Sequence, residues 1–219
     1  MTISSLDLPH HRDCIACPLA TTRHNVVPGF GNPAARLMLV GEAPGAEEDA
    51  QGKPFVGRSG TLLRDIIDAM PAIKADDFFF TNIFQCRPPG NAVRLTEGSP
   101  CPDIWLTAEI QRLKPVVVVA VGKTACDYFR PQDTDMPARW HAAKDSFDEV
   151  RRCWVVGMFH PSYALRSGAE AGSEEGNRIV TSMVYSMQRA LYYLHAAGWS
   201  GGAEQVADLQ DTIEEGGPE

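Results

Sequence analysis

The sequence predicts an α/β fold with three layers (α/β/α) around a central, mostly parallel sheet of four strands. Three observations predict this fold: four short apolar runs have strand character, segments of helical periodicity lie between them, and the connections are short. Strands that alternate with helices in this way form parallel sheets covered by helices on both faces.

The four strands are predicted at residues 36–40, 78–83, 116–121 and 153–159. The third run contains five valines and one alanine, with no alternation between apolar and polar residues. Such a run is typical of a central strand that is covered on both faces. The third strand should therefore lie inside the sheet.

The predicted helices follow from apolar residues that recur three or four positions apart. These helices contain Leu62, Leu63, Ile66, Ile67 and Met70; Ile104, Ala108 and Leu113; the stretch 124–129; and a long closing helix at 179–194.

At 219 residues and 44% hydrophobic composition, the chain is long enough for one full core. We predict a single domain over residues 1–197. Residues 1–34 form an irregular segment before the first strand, and 168–176 form a loop rich in Gly, Ala, Glu and Ser. Residues 198–219 are predicted to be an acidic, disordered tail because their composition is polar and charged.

The charge of the chain is concentrated in that tail. The net charge is −8, and residues 201–219 carry six acidic residues with no Lys or Arg, so the rest of the chain has a net charge of only −2. This distribution neither supports nor excludes nucleic acid as a partner.

The chain has no run of eighteen apolar residues, and its first residues lack the basic and apolar segments of a secretory signal. The sequence therefore predicts no membrane span and a cytoplasmic protein with reduced thiols.

Four cysteines are candidate metal ligands. Cys14 and Cys17 are separated by two residues, and Cys86 and Cys101 lie fourteen residues apart in a proline-rich segment. Four thiolates suit either structural zinc or an iron–sulfur cluster. The other two cysteines, Cys126 and Cys153, fall in a predicted helix and strand, so we expect them to be buried core thiols.

Four short polar motifs each follow a predicted strand: residues 41–45, Thr81-Asn82, Gly122-Lys123 and residues 160–162. The first lacks the Gly-x-Gly-x-x-Gly spacing of dinucleotide-binding loops, and Val117 stands where a phosphate loop before Lys123 would have its first glycine. Because the carboxyl ends of parallel strands meet at one edge, the motifs predict a single site there.

The motifs resemble those of the family 4 uracil-DNA glycosylases. Residues 41–60 are similar to the first motif of that family, residues 81–91 to the second and residues 160–166 to the third. The four candidate ligands match those of the family's 4Fe–4S cluster, so the resemblance favours iron–sulfur over zinc. It extends over about residues 10–195 and implies an enzyme of base-excision repair. Such an enzyme hydrolyses the N-glycosidic bond of deoxyuridine flipped out of DNA.

The resemblance assigns roles around the extruded base. Phe55 would stack on uracil, and the Asn82 amide would pair with O4 and N3–H, since it carries both a donor and an acceptor. His160 would donate a hydrogen bond to O2, where negative charge develops when the bond breaks. The backbone N–H groups of Glu42 and Ala43 would assist at the same end.

Activation of water is assigned to a carboxylate. The classical uracil-DNA glycosylases place an aspartate where this chain has Ala43, and family 4 lacks it, so either Glu42 or Glu48 would orient the water or stabilise the sugar cation. We favour Glu42. Because the motifs place no lysine as a Schiff-base nucleophile, lyase activity is not expected.

Five residues are predicted to contact DNA. Four of them would bind phosphates, and Leu165 would fill the gap left by the flipped base. The phosphate-binding candidates are Arg58, Arg87, Lys123 and Arg166.

The chain departs from the family pattern between Asn91 and Cys101. Family members carry a basic residue and then an acidic helix start in this segment, and this chain has other residues in their place. A related branch traps uracil-DNA covalently through a histidine in this segment. Residues 87–140 contain no histidine, so that activity is not expected.

Two alternatives stay open. One is a non-catalytic iron–sulfur DNA-binding module on the same fold, and the other is a zinc-stapled hydrolase acting on another nucleoside. The sequence predicts a monomer. Uracil-containing DNA is the expected partner of a uracil-DNA glycosylase and also of the non-catalytic module.

Overall fold

The computed structural model describes residues 4–5, 8, 11–92, 98–129 and 145–199. Residues 93–97, in the segment that departs from the family pattern, lie outside the described residues. The predicted acidic tail also lies outside them from residue 200 onward.

Within the described residues, seven strands form one sheet. They are β1 (Ser4–Ser5), β2 (Phe30–Gly31), β3 (Leu37–Gly41), β4 (Phe78–Asn82), β5 (Val117–Val121), β6 (Ser146–Asp148) and β7 (Cys153–Met158). Their order across the sheet is β1-β2-β4-β3-β5-β7-β6. The four middle strands are parallel, with Leu37 opposite both Phe78 and Val117, and Val117 opposite Trp154. The outer pairs are antiparallel.

The part of the chain that the structure describes has six α-helices beside the sheet. They are α1 (Ala46–Gln51), α2 (Arg58–Asp68), α3 (Thr107–Leu113), α4 (Lys123–Phe129), α5 (Pro161–Arg166) and α6 (Glu174–Ala196). A π-helical turn at Pro102–Leu106 leads directly into α3, and 3₁₀ turns lie at Pro18–Thr21, Ala75–Asp77, Pro89–Asn91 and Ala169–Ala171.

Local sequence explains where the helices begin and end. The Ser173 hydroxyl caps α6 by accepting from Gly176 N at 3.0 Å, a stabilising contact at a helix start. Pro161 opens α5, where its missing N–H costs nothing. The helix α1 ends at Gly52, whose φ of +67° suits glycine.

Apolar side chains form two cores, one on each face of the sheet. On one face the odd-numbered positions of β3 and β5 pack against α2, α5 and α6; on the other, the even-numbered positions pack against α3 and α4. Val117 to Val121 are completely buried, because alternate side chains of β5 enter the two cores. The predicted three-layer α/β fold is confirmed.

The sheet is larger than predicted, with seven strands instead of four. The four predicted strands are its parallel centre, and the additional strands β1, β2 and β6 are two or three residues long. Segments of this length are too short to show a periodic pattern. They are strands because neighbouring strands supply backbone partners: β4 for β2, β7 for β6, and β2 in turn for β1. No helix in the described part of the chain is both long and apolar enough to cross a membrane.

Candidate active site

A cleft of about 560 Å³ opens at the carboxyl edge of the parallel strands. Its walls come from the loop after β3, the segment 55–60, the end of β4 and the start of α5. All six predicted catalytic and base-binding residues line it: Glu42, Ala43, Glu48, Phe55, Asn82 and His160. The topology therefore brings together residues that are more than one hundred positions apart.

Phe55 and Asn82 meet above Gly41, the last residue of β3. A Cβ atom at Gly41 would lie 2.5 Å from Asn82 Oδ1 and 2.8 Å from Phe55 Cζ, so only glycine leaves room for both side chains. Phe55 and Asn82 are 6% and 4% exposed, respectively. An aromatic ring and an amide thus border the same buried end of the cleft.

Phe55 is held in an unusual backbone conformation. Its φ is +55°, in the left-handed region that side chains other than glycine rarely adopt and that costs about 1–3 kcal/mol. Neighbouring groups stabilise it: Arg64 Nε donates to Phe55 O at 3.3 Å, and the Phe80 ring lies 5.9 Å from the Phe55 ring between centroids. The ring of Phe55 is therefore fixed by its surroundings.

Glu48 fastens the two loops of the first motif together. Its Oε1 accepts from Val56 N at 2.9 Å and from Gly57 N at 2.7 Å, and its Oε2 accepts from Gly45 N at 3.0 Å. Both carboxylate oxygens are thus occupied by backbone N–H groups, and the two groups on Oε1 directly follow Phe55.

Glu42 has a different environment. Its Oε2 accepts a hydrogen bond from Thr124 Oγ1 in α4, and its backbone oxygen accepts from Phe84 N at 2.9 Å. The second contact, together with Ile83 N donating to Gly41 O at 2.8 Å, continues the β3–β4 pairing beyond the strand ends. The Glu42 side chain is therefore anchored at one carboxylate oxygen only.

His160 caps α5, and this contact defines the tautomer of its ring. Nδ1 accepts from Ser162 N at 3.1 Å and lies 2.8 Å from Ser162 Oγ, which in turn accepts from Arg166 Nη1 at 3.0 Å. Because Nδ1 is an acceptor, the neutral ring carries its hydrogen on Nε2. Burial, together with the nearby charge of Arg166, lowers the pKa of His160 to about 4, so the ring is neutral at pH 7.

The DNA-contact candidates fall into two groups. Arg58, Leu165 and Arg166 line the cleft, whereas Arg87 and Lys123 do not. Arg58 pairs with Glu170 at 2.6 Å and Lys123 with Asp127 at 2.5 Å, both in exposed positions, and Arg87 Nε donates to Asn91 Oδ1 at 2.9 Å. Exposed pairs of this kind contribute about 0–1 kcal/mol and exchange readily for a phosphate.

A second cavity is lined by all four candidate ligands, Cys14, Cys17, Cys86 and Cys101. Two of the sulfurs accept hydrogen bonds: Trp105 Nε1 donates to Cys14 Sγ at 3.2 Å, and Gln85 N donates to Cys101 Sγ at 3.3 Å. The fold therefore joins the cysteine pair of the first segment to the two distant cysteines.

The four cysteines that line this cavity are free thiols. Within the described residues, no three His, Cys, Asp or Glu side chains are grouped as ligands of one metal ion. Burial also raises the pKa of Cys86 to about 11 and of Cys101 to about 12, so as free thiols these residues are protonated at neutral pH.

The other two cysteines are buried, as predicted. Cys126 is 3% exposed in α4, and Cys153 is fully buried at the start of β7. Burial raises the pKa of Cys153 to about 12, which makes this thiol inert.

Sequence reasoning missed a buried polar network between the two cavities. Glu109 in α3 is completely buried; its Oε2 accepts from Thr81 Oγ1 at 2.6 Å and its Oε1 from Gly29 N at 2.8 Å. Gln85 Nε2 also donates to Thr81, at 3.3 Å. Thr81 precedes Asn82, so the network supports the end of β4. A signal was present, because Glu109 stands in helical register with buried Leu106 and Leu113.

Replacing Glu109 with glutamine is expected to change how stability depends on pH. Burial raises the pKa of the folded-state carboxyl from 4.5 to about 7. The protonated group therefore stabilises the fold below pH 4.5, and this contribution is lost as the pH rises to about 7. At about 1.4 kcal/mol per pKa unit, the loss is about 3 kcal/mol.

Because glutamine does not ionise, the unfolding free energy of E109Q relative to the wild type should rise by that amount between about pH 4.5 and pH 8. Urea unfolding of both proteins across this range measures it. A difference between the two proteins that does not vary with pH would contradict the assigned pKa.

Comparison with known proteins is consistent with this site. The chain matches the family model of the uracil DNA glycosylase superfamily over residues 28–181. It is 38% identical over 169 residues to a type-4 uracil-DNA glycosylase of Thermotoga maritima, covering 77% of this chain and 84% of the relative. A type-4 enzyme of Pyrobaculum aerophilum is 40% identical over 171 residues, covering 74% and 84%. A type-5 uracil-DNA glycosylase of Thermus thermophilus is 35% identical over only 115 residues, or 46% and 52% of the two chains.

Proposed function

Since the chain belongs to the type-4 branch of the uracil-DNA glycosylase superfamily, we propose that it removes uracil from DNA by hydrolysing the N-glycosidic bond of flipped-out deoxyuridine. The observation that carries the proposal is the meeting of Phe55, Asn82, Glu42 and His160 in one cleft. Extruding the base costs a few kcal/mol, and the contacts in the pocket offset that cost.

Base recognition is assigned to Phe55 and Asn82. The fixed ring of Phe55 offers a flat apolar surface on which the pyrimidine stacks. The Asn82 amide donates to uracil O4 and accepts from N3–H. Cytosine presents an amine at position 4 and no hydrogen on N3, so the same amide orientation leaves it unpaired.

Departure of the base is assigned to His160. When the C1′–N1 bond breaks, the electron pair moves into the uracil ring and negative charge develops on O2. The Nε2–H group of a neutral imidazole donates to that oxygen, and one preorganised donor of this kind contributes about 3 kcal/mol. The backbone N–H groups of Glu42 and Ala43 lie at the same end and assist.

Water is oriented by Glu42 in this proposal. The carboxylate of Glu42 is anchored at one oxygen, whereas both oxygens of Glu48 are occupied by backbone N–H groups. Glu48 therefore acts as a positioning residue for Phe55. The water oxygen bonds to C1′ as the sugar cation forms, one water proton passes to the carboxylate, and a proton is finally returned to the uracil anion.

The sulfur-lined cavity would hold a 4Fe–4S cluster with Cys14, Cys17, Cys86 and Cys101 as ligands. Two observations support this fit: four thiols line one cavity, and N–H groups donate to two of them. Bound there, the cluster would act structurally by linking the N-terminal segment to the segment that follows β4.

DNA is held, in this proposal, by the rim of the cleft. Arg58 and Arg166 bind the phosphates beside the flipped nucleotide, and Leu165 occupies the space the base has left. Lys123 and Arg87 do not line the cleft, so they would contribute to affinity without touching the flipped nucleotide.

Replacing Asn82 with alanine should reduce kcat/KM for uracil release by about 10- to 100-fold, because two hydrogen bonds of about 1–1.5 kcal/mol each are lost. The measurement is free uracil liberated from oligonucleotides containing U:G, U:A or single-stranded uracil. The exposed residue Asn177 provides a matched control, since Asn177→Ala removes the same amide at a position that does not line the cleft.

Undiminished release by Asn82→Ala would remove the assigned role of Asn82. Wild-type protein that shifts uracil-containing DNA but releases no uracil would favour the non-catalytic DNA-binding module instead.

A further inference from the structure

The turn that joins β5 to α4 contacts both groups to which the chemistry is assigned. It consists of Gly122 and the first two residues of α4, Lys123 and Thr124. Gly122 N donates to Met158 O at 2.8 Å, which fixes the turn to the end of β7. His160 lies two residues beyond Met158. The turn therefore sits between the motif that carries His160 and the motif that carries Glu42.

Gly122 provides the surface on which His160 packs. A Cβ atom at Gly122 would lie 3.0 Å from His160 Cβ and 3.3 Å from His160 Cδ2. Its φ of +88° is also one that a side chain disfavours. The imidazole is thus held against the bare backbone of this turn on one side and by its cap with Ser162 on the other.

Thr124, two residues later, contacts Glu42. Its Oγ1 donates to Glu42 Oε2 in a half-buried position, across 82 residues of sequence. Glu42 itself stands in a loop of glycine, alanine and proline, where few neighbouring side chains restrain a flexible carboxylate. The hydroxyl of Thr124 is therefore the side-chain contact that orients this carboxylate among the described residues.

We infer that Thr124 is a positioning residue: it holds the Glu42 carboxylate at a set distance from His160, on a turn rigidly shared by both. This inference rests on the proposed function and extends it. A carboxylate that orients water must keep its angle to C1′, and a displacement of about 1 Å can cost about 100-fold in rate. The hydroxyl of Thr124, and not its methyl group, contacts Glu42, so we expect the reaction to depend on the hydroxyl.

The test compares Thr124→Val, which keeps the shape and loses the hydroxyl, with Thr124→Ser, which keeps the hydroxyl. With enzyme in excess over uracil-containing DNA, Thr124→Val should slow the single-turnover rate by about 10- to 100-fold. Affinity for the DNA should stay within about twofold, because Thr124 does not line the cleft. Thr124→Ser should recover most of the rate.

Thr181→Val is the matched control, since Thr181 Oγ1 also makes one hydrogen bond, to Asn177 O at 3.0 Å in α6, remote from the cleft. Its rate should equal that of the wild type. Glu42→Gln and the double variant Glu42→Gln/Thr124→Val complete a cycle. If Thr124 acts through Glu42, the second change should slow Glu42→Gln no further.

The outcomes of this test distinguish failure of the Thr124 inference from failure of the proposed glycosylase function. Wild-type protein that releases no uracil overturns both. A Thr124→Val rate equal to wild type, in a protein that Glu42→Gln slows, overturns only the positioning role. A double variant that is slower than Glu42→Gln by the full factor seen for Thr124→Val alone also overturns the positioning role. So does a lower Tm for Thr124→Val together with a normal rate for Thr124→Ala, because that result shows a merely structural role.

Discussion

Replacing His160 with alanine is expected to slow uracil release by about 100- to 1,000-fold, while affinity for uracil-containing DNA changes little. The variant loses the Nε2–H donor that we assign to uracil O2, where charge develops only as the bond breaks. Removing one such donor typically costs about 3–4 kcal/mol of transition-state stabilisation. The loss should therefore appear in the single-turnover rate rather than in binding.

The pH dependence of this loss distinguishes a neutral donor from a charged one. Because burial lowers the pKa of His160 to about 4, its ring stays neutral above about pH 5. The ratio of wild-type to His160→Ala rates should therefore be constant between about pH 5 and pH 8. A ratio that falls as the pH rises through the ordinary histidine pKa of 6.5 would mean that the charged ring is the active form.

Two further variants test the geometry around the ring. Ser162→Ala removes one of two contacts to Nδ1 and leaves the backbone donor in place, so the rate should fall by less than about tenfold. His195→Ala, in the last turn of α6 and outside the cleft, should match the wild type. A His160→Ala protein as fast as His195→Ala would remove the assigned role.

The parallel centre of the sheet could be predicted because its strands are apolar on both faces. Val117 to Val121 fill two cores at once, so their sequence shows the burial directly. The edge strands could not be predicted, since β2 is formed by Phe30 and Gly31 only where β4 offers free backbone groups. Their pairing is a property of the tertiary structure rather than of their own residues.

The sequence motifs predicted which residues form the candidate site, but not which groups each side chain contacts. The ends of parallel strands converge, so the four motifs were expected at one edge. Residues 42–45, Asn82 and His160 line the cleft, whereas the Gly122-Lys123 motif does not. The sequence could not separate the roles of Glu42 and Glu48, which stand in the same loop and helix start. Only the contacts distinguish them, with backbone N–H groups around Glu48 and a threonine hydroxyl at Glu42.

Glu109 and Thr124 were missed for a related reason. Each is an ordinary helical residue in the sequence, and each acquires its partner from a segment at least 28 residues away. Polar residues on the buried side of a helix are the signal that such partners exist, but the sequence does not say which group they meet.

Replacing Cys101 with serine is the second change expected to have a large effect. If the four thiols bind a 4Fe–4S cluster, purified wild-type protein contains about four iron atoms per chain and has the broad visible absorbance of thiolate-bound iron. The variant should lose most of both. Its unfolding free energy should fall by about 2–5 kcal/mol, the range seen when a cross-link between distant segments is removed, because Cys14 and Cys101 are no longer joined.

Cys126→Ser is the matched control for this substitution. Cys126 is also buried, and its Sγ donates to Ala120 O at 3.4 Å, a contact that a serine hydroxyl can replace. Because it does not line the sulfur cavity, this variant should keep its iron and its colour. Colourless wild-type protein with about one zinc atom per chain would replace the iron–sulfur proposal by a zinc site. Wild-type iron content retained by Cys101→Ser would show that this thiol is not a ligand, and the cavity would then have to bind its metal through the other three sulfurs.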